Sequence, residues 1–387
     1  MGAVTELLKS STRPFELWAM VSLKVSGRSR KTKNDQPLDL IAQHADDRGF
    51  SYAALNQVSR SFALVIQELP GDLKDAVCLF YLILRGLDTV EDDMDLSPSA
   101  KERLLSKFHE HIYDPEWKIN GVGDTEDYRI LLANFDKVIR FFLSIDEGYQ
   151  KVIADITQRM AYGMAHHGES KVETIEDYDQ YCHYVAGLVG HGLTELFAVS
   201  DYESPTLVEE LELANSMGLF LQKTNIIRDY YEDLESGRLF WPREIWTRYA
   251  DEIGEFAQYP NAAKSMACLN HMVTDAMRHA DDCLSYMSKL QHKQVFKFCA
   301  IPQVMAIGTL AEVYNNPKTF TSVVKIRKGM TASLIKNTKD AVSLQRTFCY
   351  FADKMKAKAD RNDPNYLLMI QRLESILSRC KSVPQKI

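Results

Sequence analysis

A chain of 387 residues can hold one large domain or two ordinary ones, and 45% hydrophobic residues are ample for an extended core. A net charge of −7 argues against nucleic acid as the main partner. Seven cysteines without C-x-x-C spacing read as reduced thiols rather than a disulfide framework, and no run of 18 apolar residues reads as a membrane span.

Residues 1–48 read as a partly flexible N-terminal segment. It has a short helical piece from Glu16 to Leu23, a basic run from Lys24 to Lys33, and an apolar patch at Leu38 to Ala42. The basic run reads as solvated, or as a weak contact to an anionic membrane surface. Residues 49–387 read as a single all-α domain. Apolar segments of helical period are punctuated at Pro70-Gly71, Ser97-Pro98, Gly121 to Gly123, Pro205, Pro242, Pro260 and Pro317, and strand-like alternation is nearly absent. Ser59 to Phe62 fall in the first long helix on this reading, where Arg60 taken alone is an ordinary surface residue.

The segment Y-L-I-L-R-G-L-D-T-V-E-D-D, Tyr81 to Asp93, ends an apolar helix in three carboxylates: Asp88, Glu91 and Asp92. Tyr81 and Arg85 precede them on the same face. One D-x-x-E-D is weak evidence, because acidic helix ends are usually solvated. Further on, Tyr181 to Gly192 contains a G-x-x-G-x-G run. Its order is wrong for a dinucleotide loop and no strand precedes it, so the glycines read as close helix packing. His183 reads as a packing histidine, and His166 and His167 as surface residues.

The spacing recurs in N-S-M-G-L-F-L-Q-K-T-N-I-I-R-D-Y-Y-E-D, Asn215 to Asp233. At about 100° per residue, Gly218, Gln222, Asn225, Asp229, Glu232 and Asp233 share one stripe between apolar flanks. A polar, acidic stripe inside a greasy helix is expected to line a wet cavity. Its clustered carboxylates call for a cation, and oxygen donors suit Mg²⁺, with Mn²⁺ the alternative. Two such helices facing each other would hold a cation cluster that orients a diphosphate and stabilises it as a leaving group. Arg228 and Arg238 flank this motif as plain ion pairs or as phosphate ligands. Beyond it, Gln294 to Tyr314 reads as a helix bent by Pro302, with Phe298 in the core. Val324 to Gly329 reads as a basic surface, Met330 to Phe351 as one amphipathic helix, and a last helix runs to Arg379.

These motifs resemble those of the squalene synthases, within the wider head-to-head prenyl synthase family. The resemblance also covers S-R-S-F (Ser59 to Phe62), Y-C-H-Y-V-A-G-L-V-G (Tyr181 to Gly190), F-C-A-I-P-Q-V-M-A (Phe298 to Ala306) and V-K-I-R-K-G (Val324 to Gly329), in order from about residue 50 to 330. It implies an isoprenoid synthase fold, with helices around a central cavity. It also implies that Asp88, Glu91, Asp92, Asp229, Glu232 and Asp233 are metal ligands, the four aspartates being catalytic. Tyr181 would act on the carbocation of the first half-reaction, with Tyr184 its rival. Arg60, Arg85, Asn225, Arg228, Lys325, Arg327 and Lys328 would hold cofactor and phosphate, with NADPH (or NADH) at the basic block. Ser59, Ser61, Phe62, Tyr81, Gln222, Arg238 and Phe298 would contact substrate.

The activity so implied joins two farnesyl diphosphates through presqualene diphosphate, then reduces the product to squalene. The alternatives are a head-to-head synthase without reduction (phytoene, dehydrosqualene or presqualene diphosphate type), a botryococcene-type synthase, an all-α Mg²⁺-dependent pyrophosphatase and a non-catalytic helical scaffold. Family resemblance further implies a monomer on the cytosolic face of the endoplasmic reticulum membrane, held by a C-terminal anchor absent from this sequence.

Overall fold

The computed structural model describes residues 37–59, 63, 65–167 and 172–381, and among them there is no β-strand. The basic N-terminal run and the Glu16 to Leu23 piece lie outside the described residues. The all-α expectation holds. The described residues form two compact units, one of residues 37–167 and 188–211, the other of residues 172–187 and 212–381.

The first unit is organised around the Leu73–Asp92 helix, in which every residue from Ala76 to Val90 is buried. Helices Asp47–Val58, Pro98–His111, Phe135–Phe142, Glu147–His167 and Leu188–Val199 pack on it from all sides. Ser59 is the C-cap of Asp47–Val58, so it closes that helix rather than lying within it.

In the second unit the Leu211–Arg228 helix is buried without interruption from Ser216 to Arg228. Its neighbours are identified by side chain. Gln303 donates to the Met217 carbonyl at 3.4 Å, Phe220 meets Phe348 at 6.2 Å, and Trp241 Nε1 donates to the Ile226 carbonyl at 3.3 Å. The Lys293–Val313 helix is long and apolar enough to cross a bilayer by length and composition, yet nearly all of it is buried. It reads as a core helix, and it is continuous through Pro302. The expected single helix from Met330 to Phe351 is two, Lys328–Asn337 and Ala341–Lys358. The second starts at a capping box of Asp340 and Ser343, whose reciprocal bonds satisfy orphan amides at the break. Cys78, Cys182, Cys268, Cys283 and Cys299 are free and buried, but Cys349 is disulfide-bonded, contrary to the all-thiol expectation.

The glycines of the Tyr181 region do provide close packing. After the Ile175–Cys182 helix the chain widens into a π-helix, His183–Gly187. A β-carbon on Gly218 would come within 2.4 Å of the Ala186 carbonyl oxygen and 2.8 Å of Gly187 Cα. Those are backbone atoms and cannot swing aside. Gly218→Ala should therefore destabilise the fold by about 1–3 kcal/mol, read as a lower denaturation midpoint. An unchanged midpoint would show that this contact has slack.

Candidate active site

Tyr81, Arg85, Asp88 and Asp92 step along one face of the Leu73–Asp92 helix. Arg85 is only 1% exposed. Its guanidinium lies 5.5 and 5.6 Å from the ring centres of Tyr81 and Tyr128, donates to the Tyr81 hydroxyl at 3.3 Å, and approaches Asp88 Oδ2 at 3.5 Å. Two aromatic faces and a carboxylate offset the desolvation of the buried cation.

The three carboxylates crowd the last turn, where the helix dipole is negative and no basic residue stands. Burial, and then Asp92 and Asp88, push the Glu91 carboxyl up to about 8. A cation would relieve this crowding. Asp93 has a separate task. It accepts from the Gly123 amide at 2.6 Å and the Asp95 amide at 2.8 Å, fastening a loop in which Gly123 has φ +123. The D-x-x-E-D spacing selects Asp92 and leaves Asp93 without a role; the structure gives Asp93 to the loop.

In the other unit the second motif is not one unbroken helix. Asp229 sits between Leu211–Arg228 and Tyr230–Glu235 with φ −93 and ψ 8. The bonds from Asp229 N to Asn225 O and from Asp233 N to Asp229 O, both 2.9 Å, carry the stripe across the break. Arg228 forks onto Asp229 at 2.7 and 2.6 Å. Burial opposes its charge, but Asp229 foremost, with Glu232 and Asp233, holds the guanidinium above its ordinary range. Arg238 reaches Asp233 Oδ1 at 3.7 Å. Burial, then Asp229, raises the Glu232 carboxyl, and Lys325 and Arg228 pull it back. Lys325 therefore stands within electrostatic reach of the second acidic motif.

Lys325 lies in a segment without helix or strand, residues 323–327. Ile326 packs so close to Gly308 that an added β-carbon would sit 2.8 Å from its Cδ1, and its neighbours Lys325 and Arg327 are exposed. Gln222, 1% exposed, has a hydrogen-bond partner on neither Oε1 nor Nε2 among the described residues. Leaving such a buried amide unsatisfied costs about 1–3 kcal/mol per group. A hydrated ion or a phosphate oxygen would meet the need. Asn225, one turn on, is also buried.

Among the described residues no three His, Cys, Asp or Glu side chains stand together as a finished metal cage. Asp88, Asp229 and Asp233 turn to arginines instead. In each motif taken by itself, hard oxygen donors with one glutamate raised by burial and crowding nonetheless fit a divalent cation such as Mg²⁺.

Tyr181 ends the Ile175–Cys182 helix, and its ring stacks on Phe240 at 5.1 Å and 20°. Phe240 belongs to the loop that follows the second motif, between Arg238 and Trp241. The Tyr184 ring meets His183 edge to face at 5.4 Å, and His183 Nδ1 pairs with Asn215 Oδ1 at 2.7 Å. Phe298 is buried in its helix, and Ser59 is buried at its cap. Lys328 opens a helix; Arg60, Ser61 and Phe62 lie outside the described residues. Sequence reasoning missed Lys223, which is fully buried between Asp179 and Asp275 at 2.5 Å from each. The available signal was a lysine inside a helix segment that is otherwise greasy or on the stripe.

The family described as squalene/phytoene synthase matches residues 55–330. A squalene synthase of Nicotiana benthamiana is 47% identical over 384 residues, covering 98% of this chain and 90% of that protein. Squalene synthase 1 of Panax ginseng is 49% identical over 384 residues, covering 98% and 89%. The solved complex of TcSQS with the ligand E5700 superposes with a TM-score of 0.84 at 45% identity, covering 87% of this chain and 98% of that one. With nearly half its residues shared along nearly all its length, the chain belongs to the squalene/phytoene synthase family, in its squalene synthase branch.

Proposed function

We propose that this enzyme joins two farnesyl diphosphates head to head through presqualene diphosphate and delivers squalene, releasing diphosphate. The observation that carries the reading is the buried, unsatisfied Gln222 amide on the stripe that ends in Asp229, Glu232 and Asp233. A site built for a phosphate and its hydrated cation has a use for such an amide; a scaffold helix has none. Asp88, Glu91, Asp92, Asp229, Glu232 and Asp233 are the ligands we assign to Mg²⁺, with Mn²⁺ a substitute. Bound there, the ion neutralises diphosphate and stabilises its departure. Arg85, Arg228 and Arg238, with Asn225 and Gln222, hold phosphate oxygens, and Tyr81 orients Arg85. Tyr181 moves the proton of the first half-reaction and shields the cation with its ring. Phe298 lines the prenyl channel.

NADPH, or NADH in its place, supplies the hydride of the second half-reaction. Lys325, Arg327 and Lys328 are assigned to its phosphates, and Arg60, Ser59, Ser61 and Phe62 to the region where cofactor and substrate adjoin. The same reading puts the enzyme on the cytosolic face of the endoplasmic reticulum membrane as a monomer.

The test is farnesyl diphosphate with Mg²⁺, with NADPH titrated and products identified by mass spectrometry. Squalene should require NADPH, and presqualene diphosphate should accumulate without it. In the Lys325→Ala, Arg327→Ala double variant the first half-reaction should persist, while the NADPH requirement rises at least about tenfold. An unchanged product ratio and NADPH dependence in that variant would place the cofactor elsewhere.

A further inference from the structure

The buried ion cluster at Lys223 has a bearing on the reaction. Lys223 lies on the second acidic helix directly after Gln222, but one residue rotates the side chain about 100° off the stripe. Its ammonium, 0% exposed, sits 2.5 Å from Asp275 Oδ2, 2.5 Å from Asp179 Oδ1 and 4.8 Å from the centre of the Tyr178 ring. Arg278 closes the cluster, binding Asp179 and lying 3.4 Å from Asp275. Two cations and two carboxylates thus balance, with Lys223 and Asp275 both buried.

Burying such a cluster gains little net stability over apolar packing, so its value is better sought in geometry. Tyr178 and Asp179 belong to the helix that carries Tyr181, and Asp179 precedes that tyrosine by two residues. Past Tyr181 the same strip of chain is fixed to the same helix again, by His183 on Asn215 at 2.7 Å and by the Gly187–Gly218 contact. Tyr181 is therefore suspended between two attachments to the helix bearing Gln222 and Asn225. One attachment is ionic, and the other combines a hydrogen bond with a steric contact.

We propose that Lys223, through Asp179, is a positioning residue that sets the Tyr181 hydroxyl against the reacting diphosphate ester. The proposal rests on the assignment of proton chemistry to Tyr181. Lys223 itself touches no substrate. Its contribution is to hold the tyrosine's helix in register, where a misplacement of about 1 Å can cost about 100-fold in rate.

Asp179→Asn is the variant of choice. It keeps the shape of the side chain and leaves the Lys223–Asp275 pair to support the fold, whereas Lys223→Met leaves two carboxylates to share Arg278 alone within the cluster. The experiment is a double-mutant cycle of Asp179→Asn with Tyr181→Phe, followed by kcat and KM for presqualene diphosphate formation. Asp179→Asn alone should lower kcat about 10- to 100-fold with KM changed less than about twofold. In the Tyr181→Phe background the same substitution should change kcat by less than about twofold, because there is no hydroxyl left to position. Equal losses in both backgrounds, a loss confined to KM, or no loss at all would overturn the positioning role. Full turnover in Tyr181→Phe alone would instead remove the assignment of the tyrosine, a different result from the same cycle.

Discussion

Asp229→Asn is expected to reduce turnover at least about 100-fold at saturating Mg²⁺ while the protein stays folded. The amide has nearly the shape of the carboxylate, so the packing around the helix break should survive. Arg228, which loses its forked partner, still has Glu232 and Asp233 in electrostatic reach. What is lost is one anionic oxygen donor, and with it part of the stabilisation of the departing diphosphate. Asp88→Asn should behave alike for the same reason, since Arg85 keeps the Tyr81 and Tyr128 rings. The measurements are kcat across a Mg²⁺ titration and the thermal midpoint of each variant. Near-wild-type kcat in either would sink the assignment of these carboxylates to the metal.

Tyr181→Phe keeps the ring and its stacking on Phe240 but deletes the hydroxyl, so it separates shape from proton transfer. Presqualene diphosphate formation should fall about 10²- to 10⁴-fold, the span of general acid–base roles, with substrate binding retained. Single-turnover formation of the intermediate and equilibrium binding of farnesyl diphosphate give the two numbers. If Tyr184→Phe showed the large loss and Tyr181→Phe little, the roles of the two tyrosines would be exchanged. The stacking of Tyr181 on the loop beside Arg238 favours the first outcome.

Helical periodicity made the two acidic ends and the stripe legible, because a 3.6-residue repeat tells where side chains point along one element. It does not reveal what they meet. The spacing chose Asp92 over Asp93 but gave Asp93 no task, because the loop carrying Gly123 comes back to it from 30 residues on. Lys223 looked like a residue off the stripe because its partners, Asp179 and Asp275, come from elements far away in sequence. Local backbone departures escaped for a related reason. The wide turn at His183–Gly187, the break at Asp229 and the end of the helix before Ser59 all sit in stretches with no proline to mark them. Lys325 read as a basic surface from composition. Its effect on Glu232 and the seating of its neighbour Ile326 against Gly308 are both tertiary contacts.

The arginines on the acidic motifs bear on how an anionic guest is admitted. Arg228 on Asp229, Arg238 on Asp233 and Arg85 near Asp88 mean that the ligand-free protein already supplies its own counter-ions. If these carboxylates hold divalent ions as proposed, entry of a diphosphate with its ions would be an exchange of partners, with guanidinium passing from carboxylate to phosphate and carboxylate from guanidinium to metal. Such a trade would conserve the number of charged contacts on the protein side, so neither guest would be welcomed well alone. Diphosphate without the ions would leave carboxylates bare, and ions without diphosphate would leave arginines bare. Binding of the two would thereby be linked, each raising the affinity for the other by the same factor.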